Sequence, residues 1–181
     1  MNRLFGLIAA LFVALPLAAA LPAQAQKLDP QNTLYLDLKD GRVVIQLRPD
    51  LAPKHVAQIK KLTRAGFYDG LTFHRVIDGF MAQTGDPTGT GMGGSDEPNL
   101  PAEFSNAHFA RGTLGMARTQ DPNSANSQFF IMFADGGFLD GQYTVWGEVV
   151  SGMEFVDRIA KGEPPADPDK IIRMQVAADA K

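Results

Sequence analysis

The chain has 181 residues, 45% of them hydrophobic and 20% charged, which is enough for one well-buried domain. It contains no cysteine, so disulfides, thiolate metal sites and a cysteine nucleophile are excluded. Because the formal net charge is -3 and no run of Lys or Arg occurs, nucleic-acid binding is not expected.

The N-terminus has the pattern of an export signal. A basic start precedes an uncharged apolar stretch over residues 4–21, which Pro16 interrupts, and the small-residue pattern AQA ends at Ala25. We therefore expect residues 1–25 to be a signal peptide that is cleaved after Ala25. A retained membrane anchor is the alternative, because the apolar stretch is close to the length that crosses a bilayer.

The next predicted element is a β-hairpin. Apolar and polar residues alternate from Thr33 to Leu38, and a second β-prone run covers residues 43–47. The pair Asp40-Gly41 between them accepts the positive φ angles of a two-residue turn. The sequence thus predicts an antiparallel pair with these two residues at its turn.

Two helices are predicted, one near each end of the domain. Apolar residues recur every three positions after Pro53 until Gly66, which indicates an amphipathic helix that the proline begins and the glycine ends. Ser151 and Glu154 have the spacing of a capping box, and an apolar face follows until Gly162. This pattern predicts the second helix.

Short β-prone runs separated by Gly, Pro, Asp and Asn fill the chain between the helices. They cover residues 73–77, 80–83, 112–117, 128–133 and 143–150. Such spacing predicts a mostly antiparallel sheet closed into a barrel or sandwich. A last alternating run with Ile172, Met174 and Val176 is expected to pair with the first hairpin. We therefore predict one domain over residues 28–181, with the helices covering the open ends.

A glycine-rich segment, GTGMGG at residues 89–94, matches the dinucleotide-binding pattern GxGxxG. Its context does not fit, because Asp96, Glu97 and Pro98 follow and no strand-helix-strand unit surrounds it. We interpret the segment as a flexible loop. A nucleotide-linked oxidoreductase is the alternative that this motif alone would support.

The titratable and hydroxyl side chains give no sign of hydrolytic or metal chemistry. His55, His74 and His108 are scattered over a predicted helix, strand and loop, so no metal and no cofactor are expected. His74 is interpreted as a hydrogen-bonded core histidine that points away from the face of Arg75. The serines lie in loops without a Gly-x-Ser-x-Gly elbow, so a catalytic triad is not supported.

Phe and Met residues are dense beside uncharged polar residues in the predicted strands. The doublet Phe129-Phe130 must place one ring on each face of its strand, so one ring needs cover outside the barrel interior. A shallow apolar pocket rimmed by Arg and Gln would provide that cover.

Four sequence blocks resemble the cyclophilin family of peptidyl-prolyl cis-trans isomerases, and its bacterial exported branch in particular. In the family's order and spacing they are FHRVI with GFMAQTGD at 73–86, GTLGMA at 112–117, SQFFI at 127–131 and FLDG at 138–141. The resemblance covers about residues 32–176. It implies a mainly β fold, an eight-stranded antiparallel closed β-barrel capped by two α-helices, and catalysis of rotation about X-Pro bonds without a cofactor.

The resemblance also implies the site residues. Arg75 would donate to the prolyl nitrogen, Phe80 would help to hold the proline ring, and Gln83 would bind the substrate backbone and steady Arg75. The substrate-binding residues implied in addition are Met81, Ala117, Arg118, Thr119, Gln128, Phe130, Phe138, Leu139 and Tyr143. Arg118 stands where many members have Asn, and Phe138 and Tyr143 stand where many eukaryotic members have Trp and His.

One position conflicts with simple strand geometry. Strict alternation points Phe80 to the face opposite Met81 and Gln83, whereas the resemblance brings all three to one pocket. A bulge or bend near Gly79 would reconcile the two expectations.

The function that these observations predict is isomerisation of X-Pro bonds, assisting the folding of exported proteins in the periplasm. The expected partners are Pro-containing segments of unfolded or folding proteins, without nucleic acid and without a membrane after signal cleavage. The chain is expected to act as a monomer. A non-catalytic chaperone that binds Pro-containing segments is the alternative.

Overall fold

The computed structural model describes residues 27–180, which form eight β-strands and two α-helices. The strands are β1 (Thr33–Leu38), β2 (Gly41–Leu47), β3 (Arg75–Ile77), β4 (Met81–Thr84), β5 (Thr113–Met116), β6 (Phe129–Met132), β7 (Val145–Ser151) and β8 (Arg173–Val176). The helices are α1 (Pro53–Arg64) and α2 (Met153–Val156), and short 3-10 turns occupy Pro30–Asn32, Gly137–Leu139 and Ala177–Asp179. No helix within residues 27–180 is long and apolar enough to cross a bilayer. The predicted signal peptide, residues 1–25, lies outside the described residues.

All eight strands form one antiparallel sheet in the order β3-β4-β6-β5-β7-β2-β1-β8. The predicted pairing of the last strand with the first hairpin is confirmed, because β8 pairs with β1. The predicted closure of the barrel is not shown: β3 and β8 are the two edges of a curled half-barrel. The free edge of β3 is taken by a loop instead, since Val76 forms an isolated bridge with Gly162.

The β1–β2 hairpin is confirmed with its turn moved by one residue. Leu38 pairs with Gly41, so Lys39 and Asp40 are the turn residues and Gly41 begins β2. Gly41 has φ +152, and a Cβ there would lie 2.6 Å from the ring of Phe155. The glycine therefore makes room for the aromatic ring rather than for the turn.

Helix α1 is confirmed over Pro53–Arg64, and Gly66 follows its end with φ +69. Its first turn has no cap from its own chain segment, because the N-cap residue Ala52 has no polar side chain. The carboxylate of Glu103 accepts the backbone N–H groups of Lys54 and His55 at 3.1 Å instead. A remote residue thus satisfies the free donors at this helix end.

The predicted capping box of the second helix is wrong. Ser151 is the last residue of β7 and does not cap the helix. The N-cap residue is Gly152, which has no side chain to form a cap and has φ +84. A Cβ on Gly152 would lie 2.9 Å from Cα of Val43 in β2, so the close approach of two backbones sets this conformation. Helix α2 is accordingly a single turn, Met153–Val156, and hydrogen-bonded turns continue from it to Ile159.

Apolar side chains pack on both faces of the curled sheet. The inner face holds the main core, with Trp146, Tyr68 and Phe129 among its largest buried side chains. A second buried group, the outer cluster, consists of Met81, Phe109, Phe130, Met132, Leu139 and Val145. The prediction from the Phe129-Phe130 doublet is confirmed, because the two rings belong to different clusters.

Candidate active site

An open groove of about 850 Å³ lies over the outer cluster. It is lined by His74, Arg75, Phe80, Met81, Gln83, Gly89, Thr90, Gly91, Ala117, Arg118, Phe130, Leu139, Tyr143, Glu163 and Pro164. Most of the residues that the sequence predicted for the site are therefore brought together by the fold.

The strand register explains how these side chains meet. Arg75 of β3 is paired with Gln83 of β4, Gln83 with Phe130 of β6, and Phe130 with Gly115 of β5. Residues opposite each other in paired strands share a face, so these four positions form one row across the sheet. Met81 lies two residues before Gln83 in β4 and therefore shares that face.

Buried apolar side chains form the base of the groove. Met81, Phe130 and Leu139 are all buried, and the ring of Phe130 stacks on Phe109 with centroids 5.8 Å apart. Gly115 makes this stack possible: a Cβ there would lie 2.7 Å from Phe109 and closer still to Phe130. The result is an apolar pocket that opens on the groove.

The orientation of Phe80 is settled by a turn rather than by a bulge. Residues 78–80 form the turn between β3 and β4, with Gly79 at φ +67 and the N–H of Phe80 donating to the carbonyl of Ile77 at 3.0 Å. Phe80 thus precedes β4, and strand alternation does not apply to it. Its ring lies 5.5 Å from that of Phe138, which is 65% exposed and is not among the residues that line the groove.

Arg75 reaches the groove with a different partner from the one predicted. Its Nε donates to Oε2 of Glu163 at 2.8 Å, and both side chains are about half exposed. No hydrogen bond joins Gln83 to Arg75 within residues 27–180; Gln83 donates to Oε1 of Gln128 at 2.9 Å instead. The predicted steadying of Arg75 by Gln83 is therefore wrong for this structure.

The glycine-rich segment at residues 89–94 is a loop, and its backbone is tied down by its own chain. The amide of Gln128 donates to the carbonyls of Gly91 and Gly93 at 3.0 and 2.8 Å. Burial would raise the pKa of Asp86, but bonds from Thr88 and from the N–H groups of both glycines outweigh it and lower that pKa to about 2. The amides that would cradle a phosphate are thus occupied by a carboxylate.

A second cavity of about 400 Å³ continues the groove past Gln128. Ala117, Arg118 and Thr119 line it together with Gln128. The guanidinium of Arg118 lies 4.5 Å over the ring of Tyr143 and donates to the carbonyls of Thr119 and Gln142, each at 2.8 Å. Arg118 is therefore folded onto the wall between the two cavities.

Sequence reasoning missed six residues of the groove: His74, Gly89, Thr90, Gly91, Glu163 and Pro164. Glu163 and Pro164 come from the loop that follows α2, where no local pattern marks a site residue. His74 is buried as predicted, but it lines the groove, and neither ring nitrogen has a hydrogen-bond partner in the part of the chain that is described. Burial lowers the pKa of His74, so its ring is neutral at pH 7.

A family model described as cyclophilin type peptidyl-prolyl cis-trans isomerase/CLD matches residues 33–176. The chain belongs to the cyclophilin family. It is therefore a peptidyl-prolyl cis-trans isomerase, an enzyme that accelerates rotation about the peptide bond before proline. The match spans every strand from β1 to β8.

Relatives of this cyclophilin agree with that assignment. A probable peptidyl-prolyl cis-trans isomerase of Brucella suis is 59% identical over 191 aligned positions, which cover 97% of this chain and 96% of the relative. The crystal structure of a cyclophilin from Hirschia baltica superposes with a TM-score of 0.79 at 31% identity, covering 85% of this chain and 77% of that one. A cyclophilin type isomerase of Cryptosporidium parvum, crystallised in the presence of the dipeptide Ala-Pro, gives a TM-score of 0.74 at 29% identity, covering 80% and 98%.

Proposed function

We propose that this cyclophilin turns X-Pro bonds of exported polypeptides in the periplasm, with Arg75 as its main electrostatic catalyst. The observation that carries the catalytic part is the position of Arg75, whose guanidinium lies at the mouth of a buried apolar pocket. The export part rests on the N-terminal sequence alone. Strand closure into a full barrel, monomeric action and the bacterial exported branch belong to the same proposal.

Catalysis of rotation about an X-Pro bond requires that the enzyme stabilise a twisted amide. The planar peptide bond resists rotation by about 18 to 20 kcal/mol because of its partial double-bond character. A million-fold acceleration needs about 8 kcal/mol of preferential binding to the transition state. No covalent bond forms or breaks, so a nucleophile, metal or redox group is not required.

Arg75 can supply the interaction that only the transition state receives. As the amide twists, resonance is lost and the prolyl nitrogen gains a localised lone pair that can accept a hydrogen bond. The guanidinium of Arg75 is a cation, and its terminal amino groups can donate there. In the planar ground state the same nitrogen is a poor acceptor, so the bond favours rotation.

The apolar pocket would hold the proline ring while the preceding residue turns. Met81, Phe130 and Leu139 exclude water from the ring, and a dry site strengthens the bond from Arg75. Gln83 and Gln128, which are bonded to each other beside the pocket, would fix the substrate backbone. The second cavity would take the residue on the other side, with Arg118 at its wall.

Replacing Arg75 tests the proposal. We expect Arg75→Ala to lower kcat/KM in a protease-coupled assay by about 100- to 1,000-fold, because one donor aimed at developing charge is removed. The fold should persist, since the side chain is 44% exposed, and a thermal unfolding scan checks this. Arg64→Ala is the matched control, because Arg64 forms a similarly exposed ion pair with Asp179 far from the groove.

Near-normal turnover by the folded Arg75→Ala variant would contradict the catalytic role. A non-catalytic chaperone that binds Pro-containing segments predicts a different result. In that case the variant would still suppress aggregation of a Pro-rich unfolded protein as well as the wild type does, and isomerase activity would be dispensable for the cellular function.

A further inference from the structure

The loop that follows α2 is bonded to the outer edge of β3, next to Arg75. The N–H of Val76 donates to the carbonyl of Gly162, and the N–H of Gly162 donates back to the carbonyl of Val76, both at 2.8 Å. This reciprocal bridge fixes the two backbones side by side. Arg75 precedes Val76 and Glu163 follows Gly162. The two charged side chains are thus placed together by backbone bonds.

Gly162 is the residue that allows this bridge. It has φ +149, and a Cβ at this position would lie 2.6 Å from Cα of Pro165 and 2.8 Å from the carbonyl oxygen of Pro164. No larger residue fits without moving the two prolines, which stiffen the segment after Glu163. Glu163 is therefore held on a constrained backbone rather than on a freely moving loop.

The contact between the two side chains uses only the inner nitrogen of the guanidinium. Nε of Arg75 donates to Oε2 of Glu163 at 2.8 Å, while Nη1 and Nη2 have no hydrogen-bond partner within residues 27–180. A hydrogen bond from Nε favours one rotation of the planar guanidinium about the Cδ–Nε bond. Both terminal amino groups are then free to face a ligand in the groove, which Arg75 and Glu163 line together.

We propose that Glu163 is the positioning residue of Arg75: it holds Nε so that the terminal amino groups point at the amide nitrogen of the bound proline. The inference rests on the proposed catalytic role of Arg75. Glu163 does not touch the reacting atoms and acts only through the arginine. It takes the place that Gln83 was expected to fill, since Gln83 is engaged with Gln128.

The expected effect is modest and falls on the chemical step. An exposed ion pair is worth at most about 1 kcal/mol, so its loss should lower kcat by about two- to five-fold. KM should change less, because the planar ground state hardly uses the arginine. A purely structural contact would lower the melting temperature without this division between kcat and KM.

The experiment compares three variants of the full chain on a peptide without charged side chains beside its proline. Glu163→Ala should show the loss in kcat. Glu163→Gln should recover at least half of it, because an amide oxygen accepts the same bond from Nε. Asp179→Ala is the control, because it breaks the ion pair between Asp179 and Arg64. The side chains of Arg64 and Asp179 are 46% and 43% exposed, close to the 44% and 52% of Arg75 and Glu163. This control should leave kcat unchanged.

The outcomes separate this inference from the proposed function when Arg75→Ala is measured beside them. An inactive Arg75→Ala with a fully active Glu163→Ala overturns the positioning role alone. An increase in kcat for Glu163→Ala also overturns it, because Glu163 would then compete with the substrate for the guanidinium. An active Arg75→Ala overturns both proposals at once.

Discussion

At the residue scale, a glycine without a side chain, Gly115, determines the shape of the apolar pocket. Gly115 lies in β5 opposite Phe130, and its position leaves the space in which the rings of Phe130 and Phe109 stack. Its φ is not positive, so the requirement for glycine is one of space and not of backbone conformation. The shape of the apolar pocket therefore depends on a residue that is not among those lining the groove.

Gly115→Ala is expected to lower both stability and activity. The new methyl group would force the two rings out of their stack, and overpacking of this kind costs about 1 to 3 kcal/mol. Denaturant unfolding and kcat/KM measure the two effects. Adding Phe130→Leu to the same chain should recover stability without recovering activity. An unchanged unfolding midpoint together with normal turnover in Gly115→Ala would contradict this account.

At the scale of elements, the 3-10 turn Gly137–Leu139 carries one wall of the pocket and is held by an ionic cluster. His108 contacts Asp140 through Nδ1 at 2.7 Å and Asp135 through Nε2 at 2.6 Å. The other oxygen of Asp140 accepts the N–H of Phe109 at 2.8 Å. Hydrogen bonds to Asp140 and Asp135 raise the pKa of His108, so the imidazolium that bridges both carboxylates persists above pH 6.5.

This cluster predicts a pH dependence with a definite sign. The folded pKa of His108 is raised, so its contribution to stability is complete below pH 6.5 and is lost as pH rises through the folded pKa. The melting temperature of the wild type should exceed that of His108→Ala at about pH 6 and approach it by about pH 9. Burial lowers the pKa values of His55 and His74, which is the opposite direction to the shift of His108.

KM for a proline peptide should rise over the same pH range in the wild type, because the turn carrying Leu139 loses its anchor. His108→Ala should show a KM that does not change with pH. A difference in melting temperature that stays constant from about pH 6 to 9 would show that protonation of His108 does not hold the turn.

Strand positions could be predicted from the sequence to within a few residues, whereas the end of β7 and the start of α2 could not. Alternation of apolar residues is a local signal, and each predicted run contains or overlaps a strand. The capping-box pattern at Ser151 is equally local, but the backbone conformation of Gly152 is set by its close contact with β2, which is distant in the chain. Local patterns fail where a long-range backbone contact sets the conformation.

At the scale of the whole molecule, the resemblance located most of the groove but not the contacts within it. Arg75, Gln83 and Phe130 fall in recognisable blocks, and strand pairing brings them into one row. Glu163 lies 88 residues from its partner Arg75 and in no such block, so only the folded chain reveals the pair. The resemblance to the family implied a closed barrel. In the folded chain, however, Gly162 is bridged to Val76 at the edge of β3, and β3 and β8 do not pair.

Export is a property of the whole chain and can be tested on it. When the full sequence is expressed in a Gram-negative host, we expect the protein in the periplasmic fraction with Gln26 as its first residue, by intact-mass measurement. Ala25→Arg should block cleavage, because the peptidase needs a small residue there. Recovery of the wild-type chain from the membrane fraction with residues 1–25 attached would favour the retained anchor instead.

Neighbouring side chains of β6 lie on opposite faces of the sheet, which affects how the sequence can diverge during evolution. Phe129 belongs to the main core, and its neighbour Phe130 belongs to the outer cluster that forms the base of the groove. A substitution in the outer cluster therefore acts first on the packing of that cluster, while the main core on the other face is a separate set of contacts. Divergence in peptide preference is therefore expected to be limited by the packing of the outer cluster itself, and not by the packing of the main core.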